Sequence, residues 1–542
     1  MANSIYNFGD LMDAVGAKLT DDNPALIHGD RIISWPEMTR RSNNVARALL
    51  ARGAETGDKV GFYMRNQPEY MEGLTACWKA RLTHVNVNFR YLDDELTYIF
   101  DNSDSVVAFF DIEFRDNIER IRDRLPNVKI WVEVGGQHDT PDFAVAYDDL
   151  AGDGDGSPLN NDRSGEDQLF LYTGGTTGMP KGVMWSHEIW RQSSLESMLT
   201  IYGAAPSNMD EHLAFVEDVG QFGRQVPACP LMHGTGLFTA MGAILNGGAI
   251  VTLPTKSKFL PEELWETVEK HGVTAMAIVG DAFAKPMVAV LDDAPDRFDL
   301  SSVQTITSSG VMWSHDVKME LIKHLPQVAL MDSFGASEAV GFGMSVTTAE
   351  GGTQTAKFTI GGNCKVFSED GREIQPGSDE PGFIARGGAV PLGYYKDPKK
   401  SAETFKTIDG VRYSIPGDWC TVAEDGTLTL LGRGSICINS AGEKIYPEEV
   451  EEALKAHDAV TDALVVGVPD DKWGQAVTAV VQLDQDGQTD EDTLRAFVRT
   501  QLAAYKAPKR ILFKENLGRA PNGKADYKGI KTFALESLGL PA

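Results

Sequence analysis

Leu169-Phe-Leu-Tyr-Thr-Gly-Gly-Thr-Thr-Gly-Met-Pro-Lys-Gly182 is the stretch on which the reading of this chain turns. Its first residues, Leu169–Tyr172, form a short apolar run of the kind a buried strand uses. The run empties into a loop of glycine, threonine and one lysine. Gly174, Gly175 and Gly178 have no Cβ, so backbone N–H groups there can close on a polyphosphate. Thr173, Thr176 and Thr177 add hydroxyl donors, and Lys181 adds a positive charge suited to phosphate oxygens. Pro180 stiffens the exit. The loop is not a Walker A sequence, because no Gly-Lys-[Ser/Thr] closes it. Read as a plain surface turn, the same stretch would owe its threonines and lysine to accident.

The chain around this loop has 542 residues, 42% of them hydrophobic, which is too many for one core and predicts two or more domains. A formal net charge of −28 argues against nonspecific binding of nucleic acid or of an anionic membrane, both of which need a basic footprint. Anionic substrates then require a local basic site, such as the loop at Lys181. The five cysteines (Cys77, Cys229, Cys364, Cys420 and Cys437) are scattered and include no Cys-x-x-Cys, so neither a disulfide framework nor a zinc site is expected. Met1–Asp10 lacks the basic and apolar regions of a signal peptide, and a cytoplasmic location is expected. Gln225–Thr255 carries no Asp, Glu, Lys or Arg and is long enough to span a bilayer. Its prolines and glycines break it into a buried helix around Leu237–Leu245 and a strand at Ala249–Leu253, so it reads as core.

Taken in order, the chain opens with a helix over Asn7–Lys18, a hairpin over Ala25–Trp35 turning at Gly29-Asp30, and a helix over Trp35–Ala51. Strands at Lys59–Met64, Thr83–Val87 and Ser105–Asp111 then alternate with helices at Pro68–Lys79 and Asp93–Asp101, which predicts a parallel sheet flanked by helices. Ala151–Glu166 is a surface loop. Ala275–Val279 and Val303–Thr307 are buried-strand candidates. Beyond Gly382 the texture changes to short β pieces, and Pro447–Leu502 reads as a compact α+β block. The predicted fold class is α/β, with a large N-terminal domain over 1–431, a hinge at 432–435 and a small mobile α+β domain over 436–542.

Four further stretches carry chemistry. Asp332-Ser-Phe-Gly-Ala-Ser-Glu338 places a carboxylate after a tight glycine turn, where it can hold Mg²⁺ beside phosphates; the plain alternative is a surface glutamate. Asp418, after Gly417, can accept two ribose hydroxyls, although Gly-Asp is also an ordinary turn. Pro230-Leu-Met-His233 precedes Gly234-Thr-Gly236, whose missing side chains would open room for a ligand. Gly518-Arg-Ala-Pro-Asn-Gly-Lys524 is a polar loop ending on a lysine.

These stretches together resemble the adenylate-forming superfamily of acyl-CoA synthetases, luciferases and peptide-synthetase adenylation domains. Leu169–Gly182 resembles its Tyr-Thr-Ser-Gly-Thr-Thr-Gly-x-Pro-Lys-Gly signature, with Gly174 in place of serine. Asp332–Glu338 resembles its Tyr-Gly-x-Thr-Glu motif, with Phe334 for tyrosine and Ser337 for threonine, and Gly432–Glu451 resembles its hinge and the start of its mobile domain. The resemblance implies that Thr173–Gly178, Lys181, Ser333, Phe334, Gly335, Ser337, Asp418 and Arg433 hold ATP. Phe334 would lie against adenine, Asp418 and Arg433 on the ribose, and Glu338 on Mg²⁺. It implies that His233, Gly234, Ser309, Gly310 and Gly341 line the acyl site, that Gly442 and Lys444 face it during thioester formation, and that Lys524 reaches the α-phosphate. Thr173, His233, Glu338 and Lys524 are the expected catalytic residues.

The activity so implied is an AMP-forming acyl-CoA synthetase, with ATP, Mg²⁺ and coenzyme A as cofactors and co-substrates, acting on a fatty, steroid side-chain or other bulky apolar acid. A carrier-protein loader, a luciferase-like oxygenase and a non-catalytic nucleotide binder are the alternatives. A homodimer is compatible by analogy.

Overall fold

The computed structural model describes residues 5–136, 139–173, 179–220, 223–310, 313, 315–352, 357–433, 438–445, 447–484, 488–518 and 526–541. The chain divides into two compact units. One comprises Met1–Phe89, Thr97–Tyr172 and Gly182–Leu431, and the other Arg90–Leu96, Thr173–Lys181 and Gly432–Ala542. The elements that carry the candidate site are, in chain order, β1 (Gln168–Thr173), β2 (Lys181–Ser186), α1 (His187–Tyr202), α2 (Gly234–Ile244), β3 (Thr305–Ser309), α3 (His315–His324), β4 (Ala329–Ala336), β5 (Ala339–Thr348), β6 (Gly393–Tyr394), β7 (Asp418–Val422), β8 (Ile438–Ser440) and β9 (Glu443–Ile445).

Among the described residues the strands form sheets of sixteen, eight and five members. In the eight-stranded sheet, Lys59–Tyr63, Thr83–Asn86, Ser105–Asp111, Ile130–Val134 and Ala144–Ala146 run parallel, and β1 joins parallel to Thr83–Asn86. At its edge β2 pairs antiparallel with β6. The sixteen-stranded sheet contains the parallel run Arg224–Pro227, Ala275–Ile278, β3 and β4, and then turns antiparallel at β5. The expected α/β class with alternating parallel strands is what is found.

The local reasons are ordinary. Ser186 ends β2 in an extended conformation and its hydroxyl accepts from Ile189 N–H (3.2 Å), capping α1. Gly203, with φ +72°, ends that helix, a conformation a side chain would resist. The apolar stretch Gln225–Thr255 folds as a short strand, α2 and the strand Ala249–Thr252, with Leu237, Ala240, Met241 and Ile244 fully buried. Among the described residues, no helix is long and apolar enough to cross a membrane. One large core joins Phe8, Trp35, Trp78, Trp185 and Leu237, and a second joins Val226, Met276, Ile306, Trp313 and Leu330 beneath the parallel run. Cys77, Cys229, Cys364 and Cys420 are free and buried, and burial pushes the thiols of the last three up to about 12.

In the second unit β8 and β9 form a hairpin, with Asn439 opposite Lys444 and Ser440 opposite Glu443. Its turn uses Ala441 and Gly442 at φ +50° and +84°, the left-handed pair a tight hairpin requires. Behind it, Val460–Asp470 and Gly474–Leu483 pair antiparallel and share a core with Val450, Leu454, Leu494 and Val498.

Candidate active site

Ligands in open α/β sheets bind beyond the carboxyl ends of parallel strands. In the first unit those ends are fastened to one another by side chains. Asn86, ending its strand, donates from Nδ2 to Tyr172 O (3.0 Å) and Met232 O (2.6 Å), while Tyr172 N–H donates to Asn86 Oδ1 (2.5 Å). The carboxyl end of β1 and the Pro230-Leu-Met-His233 turn are thereby held by one buried amide. Asn66 repeats the device: its Nδ2 donates to Pro227 O and Cys229 O, and its Oδ1 accepts from Leu231 N–H (2.7 Å).

His233 sits in an extended conformation at the start of α2, with its N–H donating to Pro230 O (3.1 Å). Beyond it the three glycine-site expectations separate. A Cβ on Gly234 would meet Leu171 Cδ2 at 3.3 Å, and Gly310 would meet Thr235 Oγ1 at 3.9 Å. Gly341 would meet nothing within 4 Å. Gly236 corrects the sequence reading. A Cβ there would lie 2.5 Å from Pro230 O and 3.0 Å from Cys229 O, so this glycine brings α2 onto the turn rather than opening room for a ligand. Gly310 and Gly341 adopt φ of +92° and +77°, so neither position accommodates a side chain without strain.

Parallel pairing of β3 with β4 sets Ser309 beside Ser333 and Ser308 beside Asp332. The Asp332 carboxylate is buried and takes a hydrogen bond from Lys318 Nζ of α3 (3.0 Å). Burial pushes this carboxyl above its usual range, against the pull of Lys318. The reversal from β4 to β5 again differs from the sequence reading. Gly335 lies within β4 at a register irregularity, and Ser337–Glu338 themselves make the turn between Ala336 and Ala339, which face each other. The carboxylate is carried by the turn and not placed after a glycine one.

Glu338 is 7% exposed, which removes the surface-glutamate reading. Its Oε1 accepts from Tyr394 Oη (2.8 Å), and Ser337 O accepts from Trp185 Nε1 (3.0 Å). Among the described residues Oε2 takes no hydrogen bond, and no three His, Cys, Asp or Glu side chains converge as a metal cage. One oriented carboxylate is a fitting donor for Mg²⁺, which binds through one or two carboxylates, retains waters and shares phosphate oxygens.

Phe334 is buried against Phe342 (ring centroids 5.2 Å) and Phe358 (5.3 Å), in a cluster that includes Cys420 and Val422 of β7. That cluster ties the Glu338 hairpin to the strand opened by Asp418, itself 8% exposed after Gly417 at φ +104°. Thr173 closes β1, Lys181 opens β2, and Arg433 closes the strand Thr427–Arg433. Gly174, Gly175, Thr176, Thr177, Gly178, Lys524 and Ser435 at the expected hinge lie outside the described residues.

The model of the AMP-binding enzyme matches residues 14–395, and that of the AMP-binding enzyme C-terminal domain matches 449–524. The chain belongs to the AMP-binding enzyme family. This AMP-binding enzyme is 39% identical to a medium/long-chain-fatty-acid–CoA/3-oxocholest-4-en-26-oate–CoA ligase of Mycobacterium marinum, over 94% of this chain and 93% of that protein. It is equally identical to a 3-oxocholest-4-en-26-oate–CoA ligase of Rhodococcus rhodochrous, over 97% and 95%. These relatives bear out the expectation of an AMP-forming acid–thiol ligase. In fold, it matches the amide bond synthetase McbA of Marinactinospora thermotolerans with a TM-score of 0.79 at 22% identity, covering 96% of this chain and 99% of that one. It also matches the o-succinylbenzoate CoA synthetase MenE of Bacillus subtilis, with a TM-score of 0.77 at 23% identity, covering 97% and 98%.

Three residues that hold the candidate site's turns in place escaped the sequence reading: Asn86, Trp185 and Tyr394. Each acts across the fold, and no local pattern marks it.

Proposed function

We propose that this AMP-binding enzyme converts a medium- to long-chain fatty acid, or an acid carried on a steroid side chain, to its CoA thioester in two steps. A carboxylate oxygen of the acid attacks the α-phosphorus of ATP, the bond to pyrophosphate breaks, and an acyl-adenylate remains. The thiol of CoA then displaces AMP from the acyl carbon. The observation that carries the reading is the Glu338 turn, a buried carboxylate with one oriented oxygen, set between β4 and β5 and followed by Gly341, where an added Cβ would meet nothing within 4 Å. Near-full-length likeness to ligases of fatty and steroid acids supports the acid class.

In this reading Thr173–Gly178 and Lys181 take the phosphates, Asp418 and Arg433 the ribose, and Ser309, Gly310 and Gly341 the acyl chain beside His233. Mg²⁺ held by Glu338 would neutralise phosphate charge. Lys524 would stabilise the negative charge that builds at the α-phosphorus during attack. Residues 436–542 then turn about 432–435, withdrawing Lys524 and bringing Gly442 and Lys444 to the adenylate. A cytoplasmic homodimer is the proposed setting.

The test is mass spectrometry of products from Mg·ATP and a panel of acids, with and without CoA. Decanoate, palmitate and a steroid side-chain acid are expected to give AMP and acyl-CoA only when the thiol is present. Activity confined to acetate or propionate would overturn the acid class. Adenylate that CoA never consumes would point to a carrier protein as acceptor.

A further inference from the structure

We propose that Tyr394 is a positioning residue for the metal-binding carboxylate, and that the two-residue strand β6 exists to set it in register with the strand leaving the phosphate loop. The inference rests on the reading of Glu338 as the Mg²⁺ ligand. β6 pairs with β2 so that Gly393 faces Met184 and Tyr394 faces Val183. The pairing is pinned on both sides, by Leu392 N–H donating to Met184 O and Tyr395 N–H to Gly182 O, each at 2.8 Å. Tyr394 N–H is held a third way, donating to Ser401 Oγ (2.8 Å), whose hydroxyl donates to Asp397 O (2.7 Å). A one-residue slip of so short a strand would turn Tyr394 to the opposite face. In the observed register its hydroxyl reaches Glu338 Oε1 at 2.8 Å, and both residues are buried. The same strand, β2, supplies Trp185, whose indole N–H holds Ser337 O. One ladder therefore fixes both the backbone and the side chain of the Ser337–Glu338 turn.

The choice of a phenol has a chemical meaning. A lysine or arginine at this distance would neutralise the carboxylate and compete with a cation for it. The phenol is neutral and occupies one oxygen only, so it stops rotation of the carboxylate while leaving its charge and Oε2 for a metal. Mg²⁺ demands near-ideal octahedral geometry and gains from a carboxylate already aimed.

The experiment is calorimetric ATP binding to the full-length protein, in Mg²⁺ and in EDTA. Tyr394→Phe, which keeps the ring and its packing on Phe405, is expected to raise the Kd for Mg·ATP about tenfold and leave that for metal-free ATP within twofold. Turnover of the variant should fall at limiting Mg²⁺ and recover toward the parent value at saturating Mg²⁺. Ser401→Ala loosens β6 while keeping the phenol, and it should shift Mg·ATP binding the same way to a smaller extent. Equal weakening with and without metal, or an unchanged Mg²⁺ dependence in both variants, would show a merely structural tyrosine and overturn the proposal. Glu338→Gln separates the two layers. If it too leaves Mg²⁺ dependence unchanged, the metal-ligand reading itself falls, and the positioning role with it.

Discussion

Asp332 and Lys318 show how much a single buried pair bears on this site. Asp332 lies two residues before Phe334 on β4, and its carboxylate and the Lys318 ammonium are 7% and 1% exposed. Such a pair adds little over a well-packed apolar replacement, because both charges lose their hydration, but removing one partner strands the other. Lys318→Met is therefore expected to destabilise the protein by about 3–5 kcal/mol, read from the urea midpoint at constant slope. The double variant Lys318→Met/Asp332→Leu should recover most of that loss, and a single-variant loss below about 1 kcal/mol would show that water already reaches the carboxylate. The sequence gives no warning of this pair. Lys318 is one lysine among many on a polar helix, and only the packing of α3 against the sheet brings it to Asp332. The same holds for Tyr394, Trp185 and Asn86, whose hydrogen-bond partners lie 56, 152 and up to 146 residues away. The motif residues were legible because their chemistry is written in residue type; the residues that orient them are written only in the fold.

At the scale of elements, periodicity was a better guide. Trp35–Ala51 and Ser105–Asp111 form the helix and strand that their patterns predict, with the same bounds. The strand read as Val303–Thr307 lies at Thr305–Ser309 instead. Val303 is fully buried but belongs to the turn before the strand, so apolarity there marks burial and not extension. Glycine was the harder residue to read. Gly236 and Gly242 both sit in α2, yet a Cβ on Gly236 would strike the backbone of Pro230 and Cys229 whereas one on Gly242 would meet nothing within 4 Å. Backbone cannot rotate out of the way as a side chain can. Gly236→Ala is expected to push α2 from the His233 turn, lowering stability by about 1–3 kcal/mol and raising KM for the acid. Gly242→Ala should raise stability by up to about 1 kcal/mol through helix propensity alone. Thermal melts of the two variants side by side decide the matter, and matched effects would mean that α2 tolerates displacement.

For the whole molecule, acid stability is set by buried imidazoles before it is set by the many carboxylates. His84, His187 and His212 are buried in the first unit, and burial pushes each down to about 3. His212 is further opposed by Arg191, whose Nη2 donates to its Nδ1 (3.0 Å) while its own Nε2–H donates to Leu245 O (3.0 Å). In the unfolded chain all three titrate near the ordinary value of about 6.5. Above that pH both states hold these rings neutral, and the native state keeps its full stability. As pH falls below it, the unfolded chain binds protons that the native protein refuses, and each ring withdraws about 1.4 kcal/mol per pH unit until about pH 3. By pH 5.5 the three together withdraw on the order of 4 kcal/mol, a large part of the stability of an ordinary protein. Protonating carboxylates relieves self-repulsion in a chain of net charge −28, while carboxyls held low in the native protein by their partners, such as Glu37 beside Arg40, lose stability as they protonate; both effects come only as pH nears the carboxylate range of about 4. The urea midpoint should therefore drop between pH 7.5 and 5.5, with a proton uptake on unfolding approaching three at the lower pH. A midpoint that stays level across that interval would mean that the imidazoles are protonated in the native protein, and that one or more of these buried rings is paired with a carboxylate.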